Sequence, residues 1–282
     1  EEAQVSVSRC CVQKMAMEAR TPSWNVENNE VTEPLALGGP SKTPPRWWVL
    51  VADWCNLLGG ITLIGAFLVG ALLNTDRLDL SPTNLRWLQV LFTVEGVFYA
   101  VAEFFMIGIM ARTPDEFGGG ARGCMQFAFI MTGGILFAFS GLVFPGCITN
   151  LTYLFNSEQC PHPAASGPYV WNGMGHFGIT VFMIGTAIGF TGIVGAPKNK
   201  LVSPFWGVTF FSTGCWIIGI FKFWGPTLLG GFDTHQNDNG FDFNAPMLAW
   251  TSLWWIGLVG AIFLTAGATV FCFMNGSFGI RL

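Results

Sequence analysis

The segment from Trp87 to Met110 constrains the fold of this chain most. It is long and apolar, and its only charged residues are Glu95 and Glu103. A helix of about 20 apolar residues is enough to cross the hydrocarbon core of a bilayer. The segment therefore predicts a membrane-spanning helix that carries two carboxyl groups within the membrane.

Five further apolar segments resemble this one in length, which predicts six spans in total. The predicted spans are about Trp47–Leu73, Trp87–Met110, Cys124–Cys147, Tyr169–Ala196, Val202–Phe223 and Met247–Met274. The composition agrees, because 51% of the residues are hydrophobic and only 11% are charged, about half the charged share of soluble domains. Lipid tolerates only helices or closed barrels, and these segments are too long for barrel strands. The predicted fold is an all-α polytopic transmembrane bundle.

The chain divides into three parts by composition. Residues 1–46 are polar and rich in proline, which predicts a disordered tail that cannot bury a core. Residues 47–275 form the predicted six-helix transmembrane domain, and residues 276–282 form a short C-terminal tail. We expect the chain to be an integral membrane protein, and the pattern fits a plasma, endomembrane or organellar membrane equally.

Lysine and arginine are concentrated in the N-terminal tail, the 2–3 and 4–5 loops and the C-terminus. By the positive-inside rule, both termini are predicted on one side of the membrane, with residues 157–168 and 226–245 on the other. Cys147 and Cys160 then fall on the outer side, where a disulfide could persist. The sequon at Asn150 falls there too, as a potential glycosylation site.

Glu95, Tyr99 and Glu103 are spaced four residues apart, so a helix places them in one polar stripe. Carboxylates this deep in hydrocarbon should face protein or water. By depth, His176 in span 4 could meet Glu95, and Asp53 in span 1 could share the level of Glu103. Either the stripe forms a proton or cation path, or each carboxyl group holds the structure together.

Two other features bear on packing within the membrane. Gly185 and Gly189 form a GxxxG pattern, which predicts close contact between two helices. Lys222 lies near the end of span 5, where its side chain is expected to extend to the membrane surface.

A pattern of Trp, Gly, Ile or Leu with Phe, and a small residue recurs in the spans. It runs from Trp254 through Gly257 to Phe263, and from Gln126 through Gly133 and Gly134 to Phe137. This pattern resembles the helical repeats of YrhK-type integral membrane proteins, which are uncharacterised. The resemblance implies a helical membrane fold and assigns no catalytic residue.

No enzyme motif or metal motif is recognisable in the sequence, and no basic face suggests nucleic acid. We therefore expect a non-enzymatic protein without catalytic residues, metal or cofactor. The first hypothesis is an accessory or structural subunit that packs with partner subunits or with copies of itself in the lipid bilayer. The alternative is a small proton-linked or cation-linked transporter or channel that uses the stripe. A third and weaker hypothesis is an intramembrane enzyme or a pigment-binding subunit, with His176 as ligand.

Overall fold

The computed structural model describes residues 43–75, 77–79, 82–113, 120–143, 167–193, 198, 200–224 and 248–279. Every regular element in these ranges is a helix. Residues 1–42 of the predicted tail lie outside them. Cys147, Cys160 and Asn150 also lie outside the described residues, so the predicted disulfide and glycosylation site remain predictions.

Six helices form the described structure, and each is long and apolar enough to cross a membrane, the fifth together with the π-helical segment that continues it to Trp224. They are α1 (Arg46–Asn74), α2 (Pro82–Met110), α3 (Gly120–Val143), α4 (Gly167–Gly192), α5 (Pro204–Trp216) and α6 (Leu248–Met274). Helix α5 continues as a π-helix from Ile217 to Trp224. The predicted six-span all-α bundle is confirmed.

The helix ends follow from local sequence. Pro204 occupies the first turn of α5, where its missing N–H costs no hydrogen bond. Helix α6 ends at Met274, and Gly276 in the turn that follows has φ 65, a left-handed conformation that glycine adopts without a Cβ penalty. The amide of Ser277 donates to the carbonyl of Cys272 at 2.8 Å. This bond belongs to a Schellman motif, which turns the chain back toward the bundle.

The six helices form a closed ring. Each helix packs against the next one in sequence, and α6 packs back against α1. The side chains that fill the interior come from opposite helices of the ring. The ring of Tyr99 in α2 lies 5.5 Å from that of Phe182 in α4 and 6.2 Å from that of Phe211 in α5.

Glycine permits the closest contacts between neighbouring helices. A Cβ atom added to Gly96 in α2 would lie 2.3 Å from the amide nitrogen of Ala138 in α3. A Cβ atom added to Gly214 in α5 would lie 2.3 Å from the carbonyl oxygen of Gly260 in α6. In both places backbone meets backbone, an arrangement typical of helix packing in membranes.

The distribution of polarity is that of a membrane protein. The outer wall carries large apolar side chains, such as Phe104 at 66% and Phe177 at 61% exposure. The interior contains the carboxyl groups of Glu95 and Glu103. Lipid favours this arrangement, because apolar side chains face acyl chains and ionisable groups face the bundle.

Candidate functional site

The polar stripe of α2 points into the centre of the helix ring. Glu95, Tyr99 and Glu103 are 2%, 1% and 1% exposed. Each step of four residues advances about 6 Å along a helix, so the stripe extends for about 12 Å through the interior. These three ionisable side chains are thus all buried inside the bundle.

Tyr99 lies between the two carboxyl groups and is fixed by its neighbours. A Cβ atom added to Gly59 in α1 would lie 3.2 Å from the Tyr99 ring, so glycine at this position makes room for the ring. Phe182 and Phe211 contact the ring from the other side of the bundle, in edge-to-face geometry. The phenol group is therefore held within electrostatic range of both Glu95 and Glu103.

The stripe contains buried polar atoms without hydrogen-bond partners. Oε2 of Glu95, the hydroxyl of Tyr99 and Oε2 of Glu103 are all in this state. Most buried polar atoms in proteins are hydrogen-bonded, and leaving one unsatisfied costs about 1–3 kcal/mol. A proton or a cation bound at the carboxyl groups would satisfy these oxygen atoms.

Asn56 of α1 contacts the stripe and was not among the residues singled out from the sequence. A side-chain hydrogen bond joins Asn56 to Glu103. Because Oδ1 of Asn56 has no partner, the amide nitrogen is the donor in this bond. The signal in the sequence is weak, because Asn56 is an uncharged amide within an apolar span. A prediction based on ionisable and aromatic side chains does not include it.

A second set of polar contacts continues from the stripe toward α4. Tyr99 lies within electrostatic range of Cys215 in α5, and a side-chain hydrogen bond joins Cys215 to Thr186 in α4. Thr186 also accepts a hydrogen bond from Nε1 of Trp216 at 3.1 Å and donates one to the carbonyl of Met183. Thr186 therefore connects the interior to the contact between α4 and α5.

Asp53 is bonded to the turn that follows α6, and the expectation that it shares the level of Glu103 stays a prediction. Both of its carboxyl oxygens accept hydrogen bonds from Nδ2 of Asn275 at 3.0 Å. The hydroxyl of Ser277 donates to Oδ2 as well. Asn275 and Ser277 lie in the turn after α6, so the spacing of residues within span 1 could not predict them as partners of Asp53. Asp53 fastens that turn to α1.

His176 contacts the end of the π-helix, and its expected approach to Glu95 stays a prediction. Its Nε2 lies 3.0 Å from the carbonyl oxygen of Phe223, at the end of the π-helix. Its ring meets those of Phe223 and Trp224 edge-on, at 5.3 Å and 5.4 Å. The last carbonyl groups of a helix lack partners within it, and His176 provides one from α4.

Lys222 differs from its expected extension to the membrane surface. Its Nζ lies 4.0 Å from the ring centroid of Trp254 in α6, and Trp254 is buried. A cation over an indole face gains electrostatic attraction that grows as water is excluded. The side chain therefore points toward α6 rather than away from the bundle.

Gly185 and Gly189 lie at the contact between α4 and α3. A Cβ atom added to Gly185 would lie 2.6 Å from Cγ1 of Ile130 and 2.8 Å from the carbonyl oxygen of Gln126. One added to Gly189 would lie 2.7 Å from Nε2 of Gln126. Both positions thus allow close approach of the two helices within one chain.

Comparison with family models, with curated proteins and with solved structures finds no match to this chain. The resemblance to YrhK-type proteins stays a prediction from the sequence. Within the described residues, no three His, Cys, Asp or Glu side chains are grouped closely enough to hold a metal ion. Function is therefore inferred from the stripe itself, because a helical bundle alone specifies no activity.

Proposed function

We propose that this multi-span membrane protein is a small transporter or channel linked to protons or cations. Its ionisable path is the stripe of Glu95, Tyr99 and Glu103. The proposal is supported by the place of these residues inside a closed ring of six helices. Ionisable residues that face the interior of a membrane bundle often mark ion pathways and proton relays.

The contrast with Asp53 carries the proposal. Asp53 is a buried carboxyl group with a structural role, and hydrogen bonds from Asn275 and Ser277 reach both of its oxygen atoms. Glu95 and Glu103 are also buried, but each retains an oxygen atom without a partner. A carboxyl group that served only as structural support would be expected to be satisfied, as Asp53 is. The unpartnered carboxyl oxygen atoms of the stripe are suited to binding an exchangeable proton or cation.

A subunit role is the second candidate, and one surface favours it. An apolar groove of about 600 Å³ runs along the outer face between α2 and α3. Phe104 and Phe139 border this groove and are exposed. A helix of a partner subunit or of a second copy could pack into it. This candidate accounts for the groove on the outer wall and leaves the unpartnered oxygen atoms of the stripe unexplained.

Ion flux through liposomes containing the purified full chain separates the two candidates. Glu95→Gln and Glu103→Gln preserve side-chain size and remove the exchangeable charge, so each should abolish flux driven by a proton or cation gradient while the fold survives. Asp53→Asn is the matched control, because it removes a buried carboxylate outside the path and should retain flux.

The subunit role predicts a different set of results. The glutamine variants should then be nearly silent, because glutamine keeps much of the hydrogen bonding, whereas leucine at the same positions should loosen assembly. The transport proposal would be refuted if liposomes containing the wild-type chain conducted no more than protein-free liposomes under both proton and cation gradients.

A further inference from the structure

We propose that the apolar groove between α2 and α3 binds one acyl chain of an anionic phospholipid, whose headgroup lies against Arg112. This inference concerns the outer wall of the bundle and is independent of the proposed transport function. It assigns the groove to a lipid, in place of the partner helix that a subunit role would require. The lining of the groove, its length and the basic group at one end support a lipid as the occupant.

The lining of the groove consists of apolar side chains. Among the described residues nine line it, and all of them are alanine, valine, isoleucine, methionine or phenylalanine. None of these side chains carries a strong hydrogen-bonding group, so a polar ligand would lose its contacts with water and gain no replacement. A hydrocarbon chain needs only dispersion contacts, which such a surface provides along its whole length.

The shape of the groove suits a slender chain better than a helix. Helices in membranes pack closely where small residues let the backbones approach, as Gly96 does against α3. The groove has small residues at Ala100 and Ala138, but the exposed rings of Phe104 and Phe139 also border it. These rings would hold a helix about 10 Å wide away from the two alanines. An acyl chain is thinner and flexible, so it can bend past the rings.

The groove extends over the depth of one leaflet. On α2 its lining begins at Val97, near the middle of the helix, and ends at Phe105. This part of the helix rises about 12 Å, which fits within the roughly 15 Å of hydrocarbon in one leaflet. Arg112 lies about 10 Å beyond Phe105. The distance from Val97 to Arg112 is therefore about 22 Å, close to half the thickness of a bilayer with its headgroups, about 20–22 Å.

Direct contacts connect the groove to this basic group. The ring of Phe105, which lines the groove, lies 5.4 Å from the ring of Trp47 and 6.1 Å from that of Trp48. Cζ of Arg112 lies 4.3 Å from the centroid of the Trp48 ring. A lipid whose chain fills the groove beside Phe105 would thus bring its headgroup to the guanidinium group.

Arg112 is exposed and held in a defined position. Its Nη1 donates to the carbonyl of Gly108 at 2.9 Å, and the Trp48 ring supports the guanidinium group. A guanidinium group has five N–H donors in a fork that matches phosphate oxygens. Arg46, next to Trp47 at the start of α1, is exposed as well. Two cations at the level of the tryptophan belt favour a headgroup with a net negative charge.

Lipid titrations of the purified full chain in detergent test this assignment. Anionic phosphatidylglycerol and zwitterionic phosphatidylcholine, both with dioleoyl chains, are compared by the rise in unfolding temperature that binding causes. Phosphatidylglycerol should bind the wild type at least about fivefold more tightly, the effect of one basic residue at a membrane surface. Dihexanoyl phosphatidylglycerol has the same headgroup, but its chains are too short to fill the groove, so it should bind more weakly.

Two variants with matched controls locate the site. Arg112→Gln should weaken binding of dioleoyl phosphatidylglycerol about fivefold and leave phosphatidylcholine unchanged. Lys200→Gln removes a charge from another exposed position and should change neither lipid. Val101→Trp fills the groove from an exposed position and should weaken binding of both lipids. Val259→Trp adds the same bulk to an exposed position on α6, outside the groove, and should weaken neither.

Three results would overturn the inference. The first, which needs no variant, is equal affinity of the wild type for the two dioleoyl lipids. The second is affinity for phosphatidylglycerol that Arg112→Gln or Val101→Trp leaves unchanged. The third is a wild type that elutes as a dimer and becomes a monomer in Val101→Trp, which would show that a second copy occupies the groove. Because none of these measurements involves ion flux, each result leaves the transport proposal to its own test.

Discussion

Alanine at Gly96 is predicted to destabilise the bundle strongly, because the contact there is between two backbones. The added Cβ atom would lie 2.3 Å from the amide nitrogen of Ala138 and 2.5 Å from the carbonyl oxygen of Gly134. These separations fall roughly 1 Å short of an ordinary van der Waals contact. No side chain can rotate away, so helices α2 and α3 must separate. Overpacking of this kind costs about 1–3 kcal/mol.

Gly65 provides the matched control on α1. The nearest atoms to an added Cβ there are the methyl groups of Leu91, at 3.6 Å, which is an ordinary contact. Alanine should therefore fit, and it should stabilise the helix by about 0.5–1 kcal/mol relative to glycine. The difference in unfolding free energy between Gly96→Ala and Gly65→Ala should be about 1.5–4 kcal/mol, combining these two estimates.

Thermal unfolding in one detergent, followed by helical circular dichroism and by size-exclusion elution, measures this difference. Gly96→Ala should unfold at a lower temperature than the wild type, and Gly65→Ala at the same temperature or a higher one. Equal stability of the two variants would refute the close packing of α2 on α3. A destabilised Gly65→Ala would show that the α1–α2 contact is closer than described.

Three further predictions concern packing, anchoring and topology. Gly185→Leu should reduce the yield of monodisperse protein, because its side chain would collide with Ile130 and the Gln126 backbone; normal yield and stability would contradict this. Asp53→Ala should release the turn after α6 and lower the free energy of unfolding by about 1–3 kcal/mol. Amide exchange at Ser277 should then be faster, and unchanged exchange would show that the anchor lies elsewhere. Cysteines introduced at 157–168 and 226–245 should react with an impermeant thiol reagent from one side of the membrane, and those near the termini from the other.

The six spans were predictable because hydropathy and length are local properties. The second predicted span ends at Met110, where α2 ends, and the predicted start of the sixth at Met247 lies one residue before α6. The starts differ most in the second and third spans, because α2 begins at Pro82 and α3 at Gly120, five and four residues before the predicted starts. Helix ends depend on capping and turn geometry, which apolar content does not encode.

The direction of the stripe was also predictable, because the cost of a carboxylate in lipid depends only on burial and chemistry. Spacing of four residues placed Glu95, Tyr99 and Glu103 on one face of a helix. It did not identify Asn56, since pairing across two helices depends on their rotation and depth. The same limit explains Asp53, whose partners Asn275 and Ser277 lie at the other end of the chain.

The π-helix from Ile217 to Trp224 had no recognisable signal in the sequence. It depends on a shift in the register of backbone hydrogen bonds, and π-helical turns often occur at functional sites. His176 and Thr180 of α4 hold its end through Phe223 and Trp224. Those contacts exist only after α4 and α5 have packed together, so a prediction from local sequence could not include them.

Proton flux into sealed liposomes tests the central claim most directly. Liposomes containing the wild-type chain are compared with protein-free liposomes and with the double variant Glu95→Gln and Glu103→Gln, verified by circular dichroism to be folded. A pH-sensitive dye inside the vesicles records the collapse of an imposed pH gradient. The account predicts that the wild type collapses the gradient and that the double variant behaves like protein-free liposomes. Equal flux through the wild type and the folded double variant would contradict it.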